Sequence, residues 1–332
     1  MKDVIKLLEK LVKIESPSGK EEEISNFILD FINKLGFNAK KDKIGNILLN
    51  SNSNLWIVTH MDTVKKKSEF KINGKIAYGT GVCDAKGSIT AILTALKRIK
   101  NLKYGIAILV DEEEGGTGSK FVLERYKPKY AIVMEPTSLK IANKHYGSLE
   151  VEIEVFGHEL HGACFEFTQN PIDVSLKILN ELKSKLKFLI QEIKGGGDLY
   201  VTPSNCKMRL DFPISPDKNV AEVKKTILGI LNKFNNIKIN VTEACNGFTE
   251  FDIPKAFLSA LKTIGLEVKY TTMLSWTDAI NFKHTGCKTI VWGPGELKYC
   301  HTKNEMIKLD EILTASKVLV KLNSAITNHN EI

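Results

Sequence analysis

The chain has 332 residues, 43% hydrophobic and 26% charged, an ordinary globular composition with more material than one compact core usually takes. No apolar run reaches the roughly 18 residues that cross a bilayer, which argues against a helical membrane protein. The net charge of +8 reads as a lysine-rich surface or as a pull on acidic partners. Only Arg98, Arg125 and Arg209 carry guanidinium forks and there is no basic arm, so nucleic-acid binding is not expected. The N-terminus opens an amphipathic helix over 3–13 and does not resemble a signal peptide, so a soluble protein retained in the cytoplasm is expected.

A second helix follows over 20–36, with Ser18 and the run Glu21-Glu22-Glu23 suited to its start. Strands are expected near 44–49 and 55–60, the latter continuously apolar as in a sheet covered on both faces. A helix near 87–100 leads to the strand Tyr104–Val110, and a helix near 117–126 to the strand Tyr130–Met134. This alternation predicts an α/β domain around a mostly parallel sheet. After about residue 146 the pattern changes. Leu149–Val155 alternates apolar and acidic residues, as a strand with one wet face does. A helix near 172–186, a loop at Gly195-Gly196-Gly197, a strand near 206–212, a helix near 218–232 and a strand near 236–242 complete a smaller α+β unit. From about 254 the α/β pattern returns with a helix, the strand Thr289–Trp292 and a last helix over 309–325. The domains are therefore 1–146 plus 246–332, with 147–245 inserted.

Five polar clusters close apolar strands or open a helix, where open α/β sheets place their sites. The first is His60-Met61-Asp62. A metal-binding imidazole commonly donates its other N–H to a carboxylate, and Asp62 can accept it. The second, Gly79-Thr80-Gly81-Val82-Cys83-Asp84-Ala85-Lys86-Gly87, lacks both the dinucleotide and the Walker spacings, so a phosphate cradle is the weaker reading and a metal-bridging Asp84 the stronger. The third, Asp111-Glu112-Glu113-Glu114, packs four acids whose repulsion calls for cations or partners. Glu135-Pro136-Thr137 and the stretch from Gly293 to Cys300-His301-Thr302 complete the set. Two histidines with three or four carboxylates suit zinc, or cobalt or manganese in its place. Two divalent ions sharing one carboxylate can activate a bridging hydroxide and polarise a carbonyl, with the remaining glutamate moving the proton. The six cysteines form no CxxC pair and read as reduced thiols; Cys83 and Cys300 each precede a candidate ligand.

The stretches HMDTV, GTGVCDAKG, DEEEGGTGS, EPT and GPGELKYCHTKNE, in this order between residues 60 and 305, resemble the M20 family of metallopeptidases and N-acyl amino-acid deacylases. That family includes succinyl-diaminopimelate desuccinylase, acetylornithine deacetylase and LysW-lysine hydrolase. The resemblance implies that His60, Asp84 and Glu135 hold one ion, and that Asp84, Glu113 and His301 hold the other. It implies Asp62 as the residue orienting His60, Glu112 as general base and acid, and a cis peptide after Asp84. His161 resembles the lid histidine that stabilises the oxyanion, often across a homodimer formed through the lid, the inserted 147–245. The expected reaction is cleavage of the amide of an N-succinyl, N-acetyl or carrier-linked amino acid in amino-acid biosynthesis, with an acidic carrier protein as a partner. A dipeptidase or carboxypeptidase of the same family is the alternative among enzymes. An inactive metal-binding interaction module is the alternative from another class.

Two features depart from the family pattern. Tyr200-Val201-Thr202-Pro203 stands where an Asn-Val-Ile-Pro-like stretch is usual. Asp211-Phe212-Pro213 stands where the family often reads Asp-x-Arg, and proline offers neither charge nor donor. Arg209 is left as the candidate for substrate binding in the lid. His145 and His158 read as structural or surface residues, since His158-Glu159-Leu160-His161 misses the zincin spacing.

Overall fold

A computed structural model describes residues 1–326; residues 327–332, the end of the expected catalytic domain, lie outside them. The chain divides into two compact units. The first comprises Met1–Lys144, Glu250–Met273 and the chain from Thr277 onward; the second comprises His145–Thr249 with Leu274–Trp276.

At the centre of the first unit, four strands run parallel in the order Gly105–Leu109, Leu55–His60, Tyr130–Val133, Lys288–Val291. Antiparallel strands flank them: Ile47–Leu49 and Lys40–Lys41 beyond one side, Ile141–His145 beyond the other. The sheet is thus mixed, with a parallel centre. Leu55–His60 is buried at every position, as are Gly105–Leu109 and Tyr130–Val133, because helices cover both faces and leave no wet side for a polar alternation. Each buried valine, leucine or isoleucine contributes roughly 1.5–3 kcal/mol of transfer free energy.

The helix Lys2–Lys13 buries Val4, Leu7, Leu8, Leu11 and Val12, a stripe at helical spacing. It packs on the helix Lys86–Leu96, which is buried everywhere except Thr94 and which also meets the last helix, Leu309–Ala325. The second helix runs Glu22–Lys34, shorter at both ends than the periodicity implied, and its N-cap is Glu21. Ser18 does not cap it: its hydroxyl donates to Asp62 Oδ2 at 2.8 Å. The helix expected to reach residue 100 stops at Leu96. A small three-stranded sheet, Lys71–Asn73, Ile76–Tyr78 and Met306–Lys308, has no counterpart in the sequence reading. Its strands are three residues long, too short for a period-2 pattern to register.

The second unit is a four-stranded antiparallel sheet in the order Leu189–Gly195, Asn205–Ile214, Gly147–Phe156, Ile237–Ala244. Its helices Pro171–Lys183 and Val220–Leu231 are capped by Asn170 and Asn219, each side chain accepting a backbone N–H. Leu149, Val151, Ile153 and Val155 pack with Met208, Leu210, Phe212, Ile178 and Leu182. The intervening acids lie on the other face among polar partners: Glu150 with Arg209 at 3.0 Å, Glu154 with Lys207 at 3.4 Å, and Glu152 with Asn240 at 3.1 Å. Gly195, expected in a loop, ends the edge strand Leu189–Gly195, whose mostly exposed residues give no alternation to read. Among the described residues no helix is long and apolar enough to cross a membrane.

Candidate metal centre

Apart from His161, every acidic or imidazole group expected at the site follows one of the parallel strands or belongs to a turn of the first unit. His60 closes Leu55–His60 and is fully buried. Its Nδ1–H donates to the main-chain oxygen of Asp62 at 3.0 Å, with Asp62 Oδ1 at 3.3 Å, which turns Nε2 toward a group of carboxylates. Nε2 lies 3.0 Å from Asp84 Oδ1, 3.8 Å from Glu135 Oε2 and 3.9 Å from Glu112 Oε2. Burial alone would lower the His60 pKa; the charges of Glu112 and Glu135, together with the hydrogen bonds to Asp62 and Asp84, raise it well above the usual histidine range.

Asp62 does more than hold the imidazole. It accepts the backbone N–H of Glu112 at 3.1 Å and of Glu113 at 3.0 Å, in addition to Ser18. Burial would raise its pKa, but His60 and these donors keep it below the usual carboxylate value.

The four-acid run is sorted by one turn. Asp111 adopts φ 58°, a left-handed conformation that aspartate tolerates better than most residues, and its carboxylate accepts the Thr117 hydroxyl at 2.7 Å. Glu114 is exposed. Only Glu112 and Glu113 join the cluster. Burial raises the pKa of both, most strongly for Glu112, where Glu135, Asp278 and Glu113 add to the effect.

Asp84 stands between the histidines, Oδ1 on His60 and Oδ2 3.3 Å from His301 Nε2. The peptide Asp84–Ala85 is cis, as the resemblance implied. His301 Nε2 is also 2.9 Å from Glu113 Oε2, and the carbonyl of His301 accepts from Lys67 Nζ at 2.6 Å. Asp84 and Glu113 raise His301 to about 10. Glu135 is buried and raised to about 8 by desolvation. Its backbone leaves room only for glycine at 293, where a Cβ would fall 2.6 Å from the Glu135 carbonyl oxygen.

The ligand atoms of His60, Asp84 and Glu135 all lie within 4.8 Å of one another, and so do those of Asp84, Glu113 and His301. Asp84 belongs to both groups. Among the described residues, buried Glu135 Oε1 has no hydrogen-bond partner, a costly arrangement that a bound cation relieves. Nitrogen and oxygen donors in two triads with a common carboxylate fit a pair of divalent ions.

Three buried groups carry no role assigned from the sequence, although Lys86 and Glu305 lie within the quoted motifs. Asp278, 1% exposed, accepts from Ser119 Oγ and is raised to about 7 by burial. Lys86, also 1% exposed, donates to the Ile14 carbonyl at 2.7 Å. The carboxylate of Glu305 accepts backbone N–H groups from the Gly79–Asp84 turn. The glycine-rich turn is therefore an anion cradle after all, and its anion is a side chain of the same protein.

His161 and Arg209 lie in the second unit. His161 is exposed at the start of a short 3-10 turn, Gly162–Phe167, where its Nδ1 accepts the Ala163 N–H at 3.2 Å and its ring stands edge-on to Tyr200. Arg209 is half-exposed and paired with Glu150. His145 is fully buried and stacked on Phe248, a core residue, and burial lowers it to about 4. His158 is exposed.

The model of Peptidase family M20/M25/M40 matches residues 56–324. The chain is 29% identical over 325 residues to a [LysW]-lysine/[LysW]-ornithine hydrolase of Sulfurisphaera tokodaii, covering 93% of this chain and 91% of the relative. Among solved structures, a tripeptidase from Staphylococcus aureus superposes with a TM-score of 0.82 at 18% identity, covering 98% of this chain and 99% of the other. A protein from Bacillus subtilis described as a dinuclear metal-binding peptidase of the M20 family gives a TM-score of 0.71 at 13% identity, with 97% of each chain covered.

Proposed function

The chain belongs to the M20/M25/M40 peptidase family and is a metal-dependent amidohydrolase, and from that premise we propose that it uses two zinc ions to cleave the amide of an N-acylated amino acid. The observation that carries this reading is the pair of donor triads joined at Asp84, with Glu112 beside them.

His60, Asp84 and Glu135 would hold one ion and Asp84, Glu113 and His301 the other. When bound, the ions polarise the scissile carbonyl and lower the pKa of a water molecule. The remaining work belongs to the chain. Glu112, left out of both triads, takes the proton of the attacking water and delivers it to the leaving amine. A carboxylate with a raised pKa is suited to both halves of that transfer. Asp62 fixes the tautomer of His60 and, through two backbone N–H groups, the place of Glu112 and Glu113. We assign His161 to the developing oxyanion, in a homodimer formed through the inserted unit. Replacing it should lower kcat with little change in KM; an unchanged kcat removes the assignment.

The similarity to the LysW-linked hydrolase favours a carrier-linked amino acid as the substrate, within amino-acid biosynthesis. The net charge of +8 suits an acidic carrier. The tripeptidase likeness keeps a peptidase as the second reading. An assay panel of carrier-linked, N-succinyl and N-acetyl amino acids beside di- and tripeptides separates them. Cleavage confined to peptides would overturn the deacylase reading.

A further inference from the structure

Glu305 is 1% exposed and lies four residues beyond His301. Pairing of Met306 with Tyr78 sets it against the turn that follows Tyr78. Its carbonyl oxygen accepts the Gly79 N–H at 3.2 Å. Its carboxylate takes three more donors: Oε2 accepts Gly81 N–H at 2.9 Å, and Oε1 accepts Cys83 N–H at 2.9 Å and Asp84 N–H at 3.1 Å. Positive φ at Gly79 and Gly81 lets these N–H groups converge. A side chain at 81 would also meet Thr63 Cγ2 at 2.6 Å.

Four hydrogen bonds thus join the segment that carries His301 to the turn that carries Asp84. Those two residues supply two of the three ligands in the triad completed by Glu113. The triad of His60, Asp84 and Glu135 takes its other two ligands from the ends of parallel strands, which hold their places without Glu305.

We propose that Glu305 is a positioning residue that fixes the spacing of Asp84 and His301 and thereby sets the affinity of the second metal site. This rests on the two-ion reading above. Glu305 touches neither substrate nor ion; it acts through the backbone of Asp84. Glutamine at 305 keeps an oxygen for Cys83 and Asp84 but turns an amide N–H toward the Gly81 N–H. Alanine leaves all three donors of the turn without a partner.

The test is cobalt(II) titration of the full-length wild type, Glu305→Gln and Glu305→Ala, following stoichiometry by equilibrium dialysis and ligand geometry by visible absorption. Thermal midpoints of the chelated proteins are measured alongside. The expected result is near-wild-type affinity for the first ion in both variants and weakening of the second by about 10–100-fold. The loss should be greater in the alanine variant, with an altered cobalt spectrum at the second step. Two ions bound at wild-type affinity with an unchanged spectrum would overturn the proposal. Equal weakening of both sites together with a lower midpoint would overturn it too, since that marks a role in general stability. Failure of wild type to take up two ions is a separate outcome and removes the two-ion reading itself.

Discussion

The two units spend their charged residues in opposite ways. In the first, His60, Asp62, Asp84, Glu135, Asp278 and Glu305 are all buried, gathered near the ends of strands covered on both faces. In the second, the acids of Gly147–Phe156 alternate with core residues and face polar partners at the surface. Burying like charges is expensive, and Glu135, Asp278 and Glu305 are held above their usual pKa by it. A fold keeps such an arrangement when something compensates it, and paired cations are the compensation proposed here. The second unit carries no such load, and hydrophobic packing behind one face of its sheet stabilises it.

Substitutions in the two units should therefore fail differently. The largest expected effect is on Glu112: replacement by alanine should lower turnover by about 10²–10⁴-fold while leaving metal content unchanged. Steady-state kinetics with metal analysis reads both, and retained activity would remove Glu112 as the base. In the second unit, Ile153→Ala removes a buried side chain and should cost about 2–5 kcal/mol of stability. Denaturant unfolding measures it, and metal stoichiometry should not change.

Asp62→Asn comes next. It disturbs the acceptor side of His60 and of two backbone N–H groups, and should weaken metal affinity by about 10–100-fold. Competition with a chromogenic chelator would show this, and unchanged affinity would confine Asp62 to a structural role. Arg209→Ala should change stability by no more than about 1 kcal/mol, because its ion pair is half-exposed. A selective rise in KM would mark Arg209 as a substrate contact, and an unchanged KM would remove it from that role.

The pH dependence of the chelated protein gives the subtlest contrast. Glu135, raised to about 8, and His301, raised to about 10, bind protons more tightly in the folded state than their unfolded values of 4.5 and 6.5 allow. Between pH 6.5 and 8 the folded chain therefore holds more protons than the unfolded chain, and stability falls as pH rises. Below 6.5 the buried His145, lowered to about 4, acts in the opposite sense. Calorimetry should show the midpoint declining from pH 6.5 to 8 after chelation, and divalent metal should stabilise more at pH 8 than at 6.5. A midpoint that rises across this window would contradict the burial argument.

What could be read from the sequence follows the same division. The parallel strands announced themselves as short apolar runs, and every proposed metal donor but His301 sits shortly after a strand or on a glycine-rich turn. Five motifs in order carried the family resemblance, and the cis peptide after Asp84 came with it. No role could be read for Asp278, or for Glu305 at the end of the fifth motif, because a carboxylate gives no sign in the sequence of its burial; only the folded backbone brings Glu305 to Gly81 or Asp278 to Ser119. Ser18 was misread for a related reason: a serine ahead of an acidic run looks like a helix cap, whereas its partner is Asp62, 44 residues away. The edge strand Leu189–Gly195 went unread because an exposed strand has no face to mark.

The most direct test of the central claim is metal analysis of the purified chain, paired with amide hydrolysis before and after chelation. Close to two zinc ions per chain, with cleavage lost on chelation and restored on reloading, is the result expected of triads joined at Asp84. A protein that takes up no metal on reloading, or cleaves equally well without it, would contradict the account.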